Sequence, residues 1–216
     1  MKKIFVIIFS LSLLFIQNSF ADEMNTDATE EVISKELYKT YKHVSKDANI
    51  IQAVELLDRT SGKYSKDAIL GKNLSKKPVH IEFMNLGNIN PIYTNFDALG
   101  WKKDKKLSIY INEKHKDAPI EALTALLAHE AIHQDEFNSL NEETYAWTLE
   151  AAVWTQLTED NPELEKSAHP LVERENVIKD LFIRGNYTSK YIHKFVVTNK
   201  GYQNLPERSF GFENLL

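Results

Sequence analysis

Residues 118–128 read Ala-Pro-Ile-Glu-Ala-Leu-Thr-Ala-Leu-Leu-Ala, a run with one charge that is followed directly by His129, Glu130, Ala131, Ile132 and His133. Alanine and leucine are strong helix formers. Pro119 suits a first turn and Asp117 stands where an N-cap is wanted, so the run predicts a helix. A helix apolar on nearly every side has to be buried. The chain must therefore build a core around this segment, and two imidazoles and a carboxylate at its end must find partners, because burying polar groups unpaired is costly.

Metal ligation would supply that pairing. Residues four apart lie on one helical face, so His129 and His133 can address a single ion. Glu130 sits about 100° round the helix from His129, beside such an ion rather than on it, which is where a general base is needed. Zinc lowers the pKa of a bound water to roughly 7, and a neighbouring carboxylate can take its proton as the water attacks a polarised carbonyl. The motif is short enough to arise by chance, so its surroundings have to support it.

A catalytic zinc usually has three protein ligands and an open position. The candidates for the third are Glu142 and Glu143. Residues 137–141 read as a turn, and Ser139, Leu140, Asn141 and Glu142 fit a capping box that opens a second helix. In that reading Glu142 caps backbone, while Glu143 shares an inward face with Ala146, Trp147, Glu150 and Trp154. Glu143 is therefore the expected ligand, with one zinc per chain. A closed structural zinc site is disfavoured because the chain has no cysteine.

With these residues in place the chain resembles the gluzincin group of zinc metallopeptidases, in which a helix bearing His-Glu-x-x-His is followed by a helix that supplies a glutamate. His129, Glu130, His133 and Glu143 carry the resemblance, with Ala146 three residues after the glutamate, and it covers residues 106–155. It implies an α+β, zincin-like fold: a small twisted sheet, an active-site helix, then the ligand-bearing helix, with further helices at either end. It also implies an edge strand that pairs with extended peptide. The chain departs from the metzincin pattern, since the histidine after His133 is His169. Trp147 also stands where thermolysin-like members have an aspartate, which leaves the outer hydrogen-bond partner of His129 open.

Residues 1–21 carry Lys2 and Lys3, an apolar stretch, then Ser19, Phe20 and Ala21 before an acidic segment. This pattern predicts a secretory signal peptide cleaved after Ala21, too short in its apolar core to remain as a membrane span. The expected location is secreted or periplasmic. Residues 22–28 are expected to be disordered and 29–216 to form one domain. The leader holds two of the 26 basic residues and none of the 31 acidic ones, so the mature chain is more negative than the whole chain's −5. Nucleic acid is not an expected partner; a peptide or protein substrate is.

Hydrophobic periodicity predicts helices at 29–44 and 47–59, a helical turn at 67–70, and alternating strands at 79–83 and 107–111. Residues 91–96 offer a further strand, with turns at 95–100 and 102–106. Beyond the second ligand helix, charged helices are expected from 163 and over 171–184, then a short one at 188–197 and an irregular tail. His169, Arg184, Tyr187, Tyr191 and His193 are possible oxyanion donors, and none has a spacing that singles it out. The sequence thus points to an exported zinc metallopeptidase. The competing readings are a secreted metal-binding or protein-interaction module with no useful turnover and, more weakly, a zinc amidase acting on a non-peptide substrate.

Overall fold

The computed structural model describes residues 34–72, 77–103, 106–133 and 137–210. The predicted leader, the segment 22–28 and the start of the first predicted helix lie outside these residues. The fold is α+β, mostly helical, with one three-stranded sheet.

Helices α1 (Lys35–Tyr41), α2 (Ala48–Leu56) and α3 (Lys63–Ile69) precede the sheet. The Asp47 carboxylate accepts from the N–H groups of Asn49 and Ile50 at 2.9 and 3.2 Å, which satisfies two donors that a helix start leaves unpaired. Strand β1 (His80–Met84) runs parallel to β3 (Lys106–Asn112), and β2 (Ala98–Lys103) runs antiparallel to β3 on its other side, giving the order β1-β3-β2. Completely buried Ile81, Ile109 and Ile111 turn one sheet face onto the helices. They meet Ile50, Val54, Leu123, Leu127 and Trp154 in the main core.

The sheet corrects the expected third strand. Residues 91–93 form a 3-10 turn capped by Asn90, and the strand lies at 98–103, where turns were expected. Gly100 reads as a breaker in the sequence, but here it is the point at which β2 passes over residues 130–133. A Cβ on it would stand 3.6 Å from His133 Cβ and 3.8 Å from Glu130 Oε2.

Helix α4 (Ile120–Glu130) is buried at every position from 122 to 130. Its N-cap is Pro119, not Asp117, because Pro119 is still extended at ψ 140° and its carbonyl receives the first helical bonds, from Ala122 and Leu123. Asp117 instead approaches His169 Nε2 at 3.4 Å. Helix α5 (Leu140–Asp160) packs along α4, and α6 (Pro170–Arg184) and α7 (Lys190–Thr198) pack on α5. A second apolar cluster of Trp147, Ala151, Ile178, Phe182, Ile192 and Val196 joins α5, α6 and α7.

Candidate metal centre

His129 occupies the last turn of α4, but His133 falls just beyond its end. Ala131 closes the helix and the Ile132 N–H bonds to the His129 carbonyl at 2.9 Å, a tightened i to i−3 turn. That turn still brings the two imidazoles together, with ring centroids 5.3 Å apart. Glu143, in the first turn of α5, completes the group: its Oε2 lies 3.7 Å from His129 Nε2 and its Oε1 lies 3.8 Å from His133 Nε2. The three ligand atoms lie within 4.8 Å of one another. A tetrahedral zinc with bonds of about 2.0–2.2 Å sets its donors roughly 3.3–3.6 Å apart, so a small contraction would suffice. Glu143 Oε2 is buried without a hydrogen-bond partner, and a buried carboxylate oxygen in that state suits a cation. The group could hold a metal ion.

Glu142 has a different role from the one its position in the capping box suggests. Ser139 Oγ does accept from the Glu142 N–H at 3.1 Å, but the Ser139 N–H is taken by Asn138 Oδ1 at 2.7 Å, so the box has no place for the Glu142 carboxylate. That carboxylate turns to His133, with Oε1 2.8 Å from Nδ1, and Oε2 accepts from Ser209 Oγ at 3.2 Å. Metal-binding histidines commonly hold their outer nitrogen this way, which fixes the tautomer. Burial would depress the His133 pKa, but the bond to Glu142 and the charges of Glu143 and Glu130 outweigh it and push it up to about 9. The chain after α7 also closes the start of α5, because the Pro206 and Glu207 carbonyls accept from Leu140 and Asn141.

Behind His129 stands Glu150, with Oε2 3.0 Å from Nδ1, although the ring N–H does not point squarely along that line. Glu150 lies two helical turns beyond Glu143 on the same face of α5. The Arg174 guanidinium grips it with two contacts, at 2.6 and 3.1 Å, and also meets Glu175 at 2.8 Å and Asp97 at 3.3 Å. Burial would raise the Glu150 carboxyl, yet Arg174 and His129 hold it at about 2. Burial and the adjacent Glu150 push Glu175 well above the ordinary carboxylate range. The Trp147 and His129 rings stand nearly perpendicular with centroids 5.2 Å apart, and Arg174 lies over the same indole at 4.5 Å.

The centre opens into a cleft of about 470 Å³ lined by β2 from Ala98 to Trp101, by Phe96 and Phe137, and by Gly201, Tyr202 and Leu205. Glu130 is part of that lining and is 8 % exposed. Burial raises its pKa. A second cavity of about 300 Å³ shares His129, Glu130 and Tyr202 and reaches Trp147 and Arg174. None of the five sequence candidates for an oxyanion donor lines either cavity. His169 caps α6, Arg184 bonds the Asp180 carbonyl, Tyr187 and Tyr191 are exposed, and His193 meets Thr144. The hydroxyl at the site is that of Tyr202, which accepts from the Trp147 indole N–H at 3.1 Å. The irregular tail that carries it offered no periodic signal. His115, near the start of α4, is 1 % exposed and 2.8 Å from Asp97.

Compared with family models, with curated proteins and with solved structures, the chain has no match in any of the three.

Proposed function

We propose that this chain is an exported zinc metallopeptidase of the gluzincin type. The observation that carries the reading is the placing of Glu130: a buried carboxylate in the cleft wall, immediately beside a His129, His133 and Glu143 group whose ligand atoms converge. A module that only bound metal would have no use for a carboxylate there, which disfavours the interaction-module alternative.

Bound zinc supplies a Lewis acid and a water acidified to a pKa of roughly 7. His129 and His133 are presented by Nε2, with Glu150 and Glu142 behind their Nδ1 atoms. Glu130 is the proton acceptor, and its Oε2 faces Gly100, so a proton taken there can be handed to the leaving amine of a peptide lying along β2. Among the described residues β2 pairs with β3 alone, which leaves its other edge without a strand there, and an extended peptide can add to such an edge. Tyr202 lines the same cleft, and its hydroxyl would be the donor to the developing oxyanion.

Glu130→Gln tests this directly in protein purified without the leader and supplied with zinc. It keeps shape and hydrogen bonding but cannot accept a proton. Peptide turnover should fall by about 10²–10⁴-fold with zinc still bound. Wild-type cleavage by a zinc-loaded Glu130→Gln variant would overturn the mechanism. A wild-type protein that binds zinc but cuts nothing in a broad peptide library would favour the module.

A further inference from the structure

The metal histidine and the cleft-wall strand are both tied to one residue of a distant helix. Arg174 of α6 is largely buried, with 19 % of its side chain exposed. Its two terminal nitrogens hold both oxygens of Glu150, the carboxylate behind His129, and its Nε reaches Asp97, the residue directly before β2. The backbone of Asp97 is itself locked to the sheet, its carbonyl accepting from the Asn112 N–H at 2.8 Å. An unbroken path therefore runs from Ala98 through Asp97, Arg174 and Glu150 to His129.

Two physical points distinguish this path from generic packing. Buried ion networks are poor sources of stability compared with apolar side chains of the same volume, so their retention points to geometry. Only a guanidinium, with donors fixed in a planar fork, can hold one carboxylate by two parallel bonds and a second from its side. The same guanidinium lies over the Trp147 ring, which stands nearly perpendicular against that of His129, so it touches both supports of that imidazole.

We infer that Arg174 is a positioning residue that couples the metal centre to strand β2: it aligns Glu150 behind His129 and, through Asp97, holds the strand along which a peptide would lie. The inference rests on the metal reading given above. A metal that draws His129 toward Glu143 then pulls on Glu150 and Arg174 and steadies the start of β2. Loading the ion would in this way prepare the cleft wall.

The test uses zinc alone as the probe, with affinity read by chelator competition and strand order read by amide hydrogen exchange over residues 98–103. In wild-type protein zinc should slow exchange in β2. Arg174→Gln should weaken zinc binding by about 10–100-fold, and even at saturation zinc should no longer protect the strand. Asp97→Asn, a milder change at a partly exposed side chain, cuts only the far half of the path. It should bind zinc much as wild type does while losing the strand protection. If Arg174→Gln does not fold, Asp97→Asn decides alone. Wild-type zinc affinity in Arg174→Gln, no zinc-dependent protection in the wild type, or protection retained in Asp97→Asn would each overturn the coupling. A wild-type protein that binds no zinc would instead refute the metal reading itself.

Discussion

At the scale of single residues, adjacent glutamates on one helix turn have separate tasks because their carboxylates meet different nitrogens. Glu143 faces both Nε2 atoms, and Glu142 backs the Nδ1 of His133. Glu143→Ala deletes a ligand and should remove tight zinc binding. Glu142→Ala should leave the ligands in place but weaken affinity by about 10–100-fold, since it frees the His133 ring to turn and to change tautomer. Chelator competition on the two variants separates the roles; equal affinity in wild type and Glu142→Ala would show that the carboxylate does not hold the His133 ring for the ion. Asp97 gives a pH-dependent signature. Burial opposes its ionisation, but the bond to His115 and the charges of Arg174 and Lys114 prevail and hold its carboxyl below the usual range. A depressed folded-state pKa stabilises the fold above the unfolded value of about 3.9, and that contribution is lost as pH falls through the folded value. Asp97→Asn should therefore unfold at lower denaturant than wild type at pH 7, with the gap narrowing below about pH 4, where the unfolded chain's carboxyl protonates, and closing only as the folded carboxyl also takes up its proton.

At the scale of elements, β2 and α4 meet at Gly100, and this crossing sets the width of the cleft. No left-handed backbone is required at this position, so a side chain there is limited by space alone. A Cβ would be in ordinary contact with His133 and Glu130, which makes Gly100→Ala tolerable. The branched methyls of Gly100→Val enter the space a substrate must use, while valine itself suits a strand. The variant should keep its fold and zinc yet lose peptide turnover by about 10²-fold or more, the scale of effect expected when reacting groups are misplaced by about 1 Å. Circular dichroism with a turnover assay checks it, and undiminished turnover would mean that peptide does not run along β2.

At the scale of the whole molecule, the ion would tie the end of α4 to the first turn of α5, so metal and fold stability are linked. Free zinc at 100 times its Kd should stabilise the fold by about 2.7 kcal/mol, raising Tm by roughly 5–10 °C for a chain of this length, with no shift in Glu143→Ala. Scanning calorimetry with and without zinc measures this. What the sequence determined by itself is local. Ser139 caps the helix that the capping box predicts, the helix read from the 118–128 run forms, buried, over Ile120–Glu130, and the i, i+4 spacing brings His129 and His133 side by side even though the helix ends between them. Glu150 was visible too, as part of the inward stripe of α5. These features follow from periodicity and capping, which depend on neighbours a few residues away. Tertiary structure decided the rest. A carboxylate at 142 could satisfy its own helix start or an imidazole, and the position of His133 settles the choice. Gly100 breaks a strand pattern in isolation but serves a strand that must pass close to a site. Tyr202 arrives on an irregular tail held by the first turn of α5. The meeting of Asp97 with Arg174 joins residues far apart in the chain, and no local pattern encodes such an encounter, because it exists only once the sheet and α6 have packed around the same helix pair.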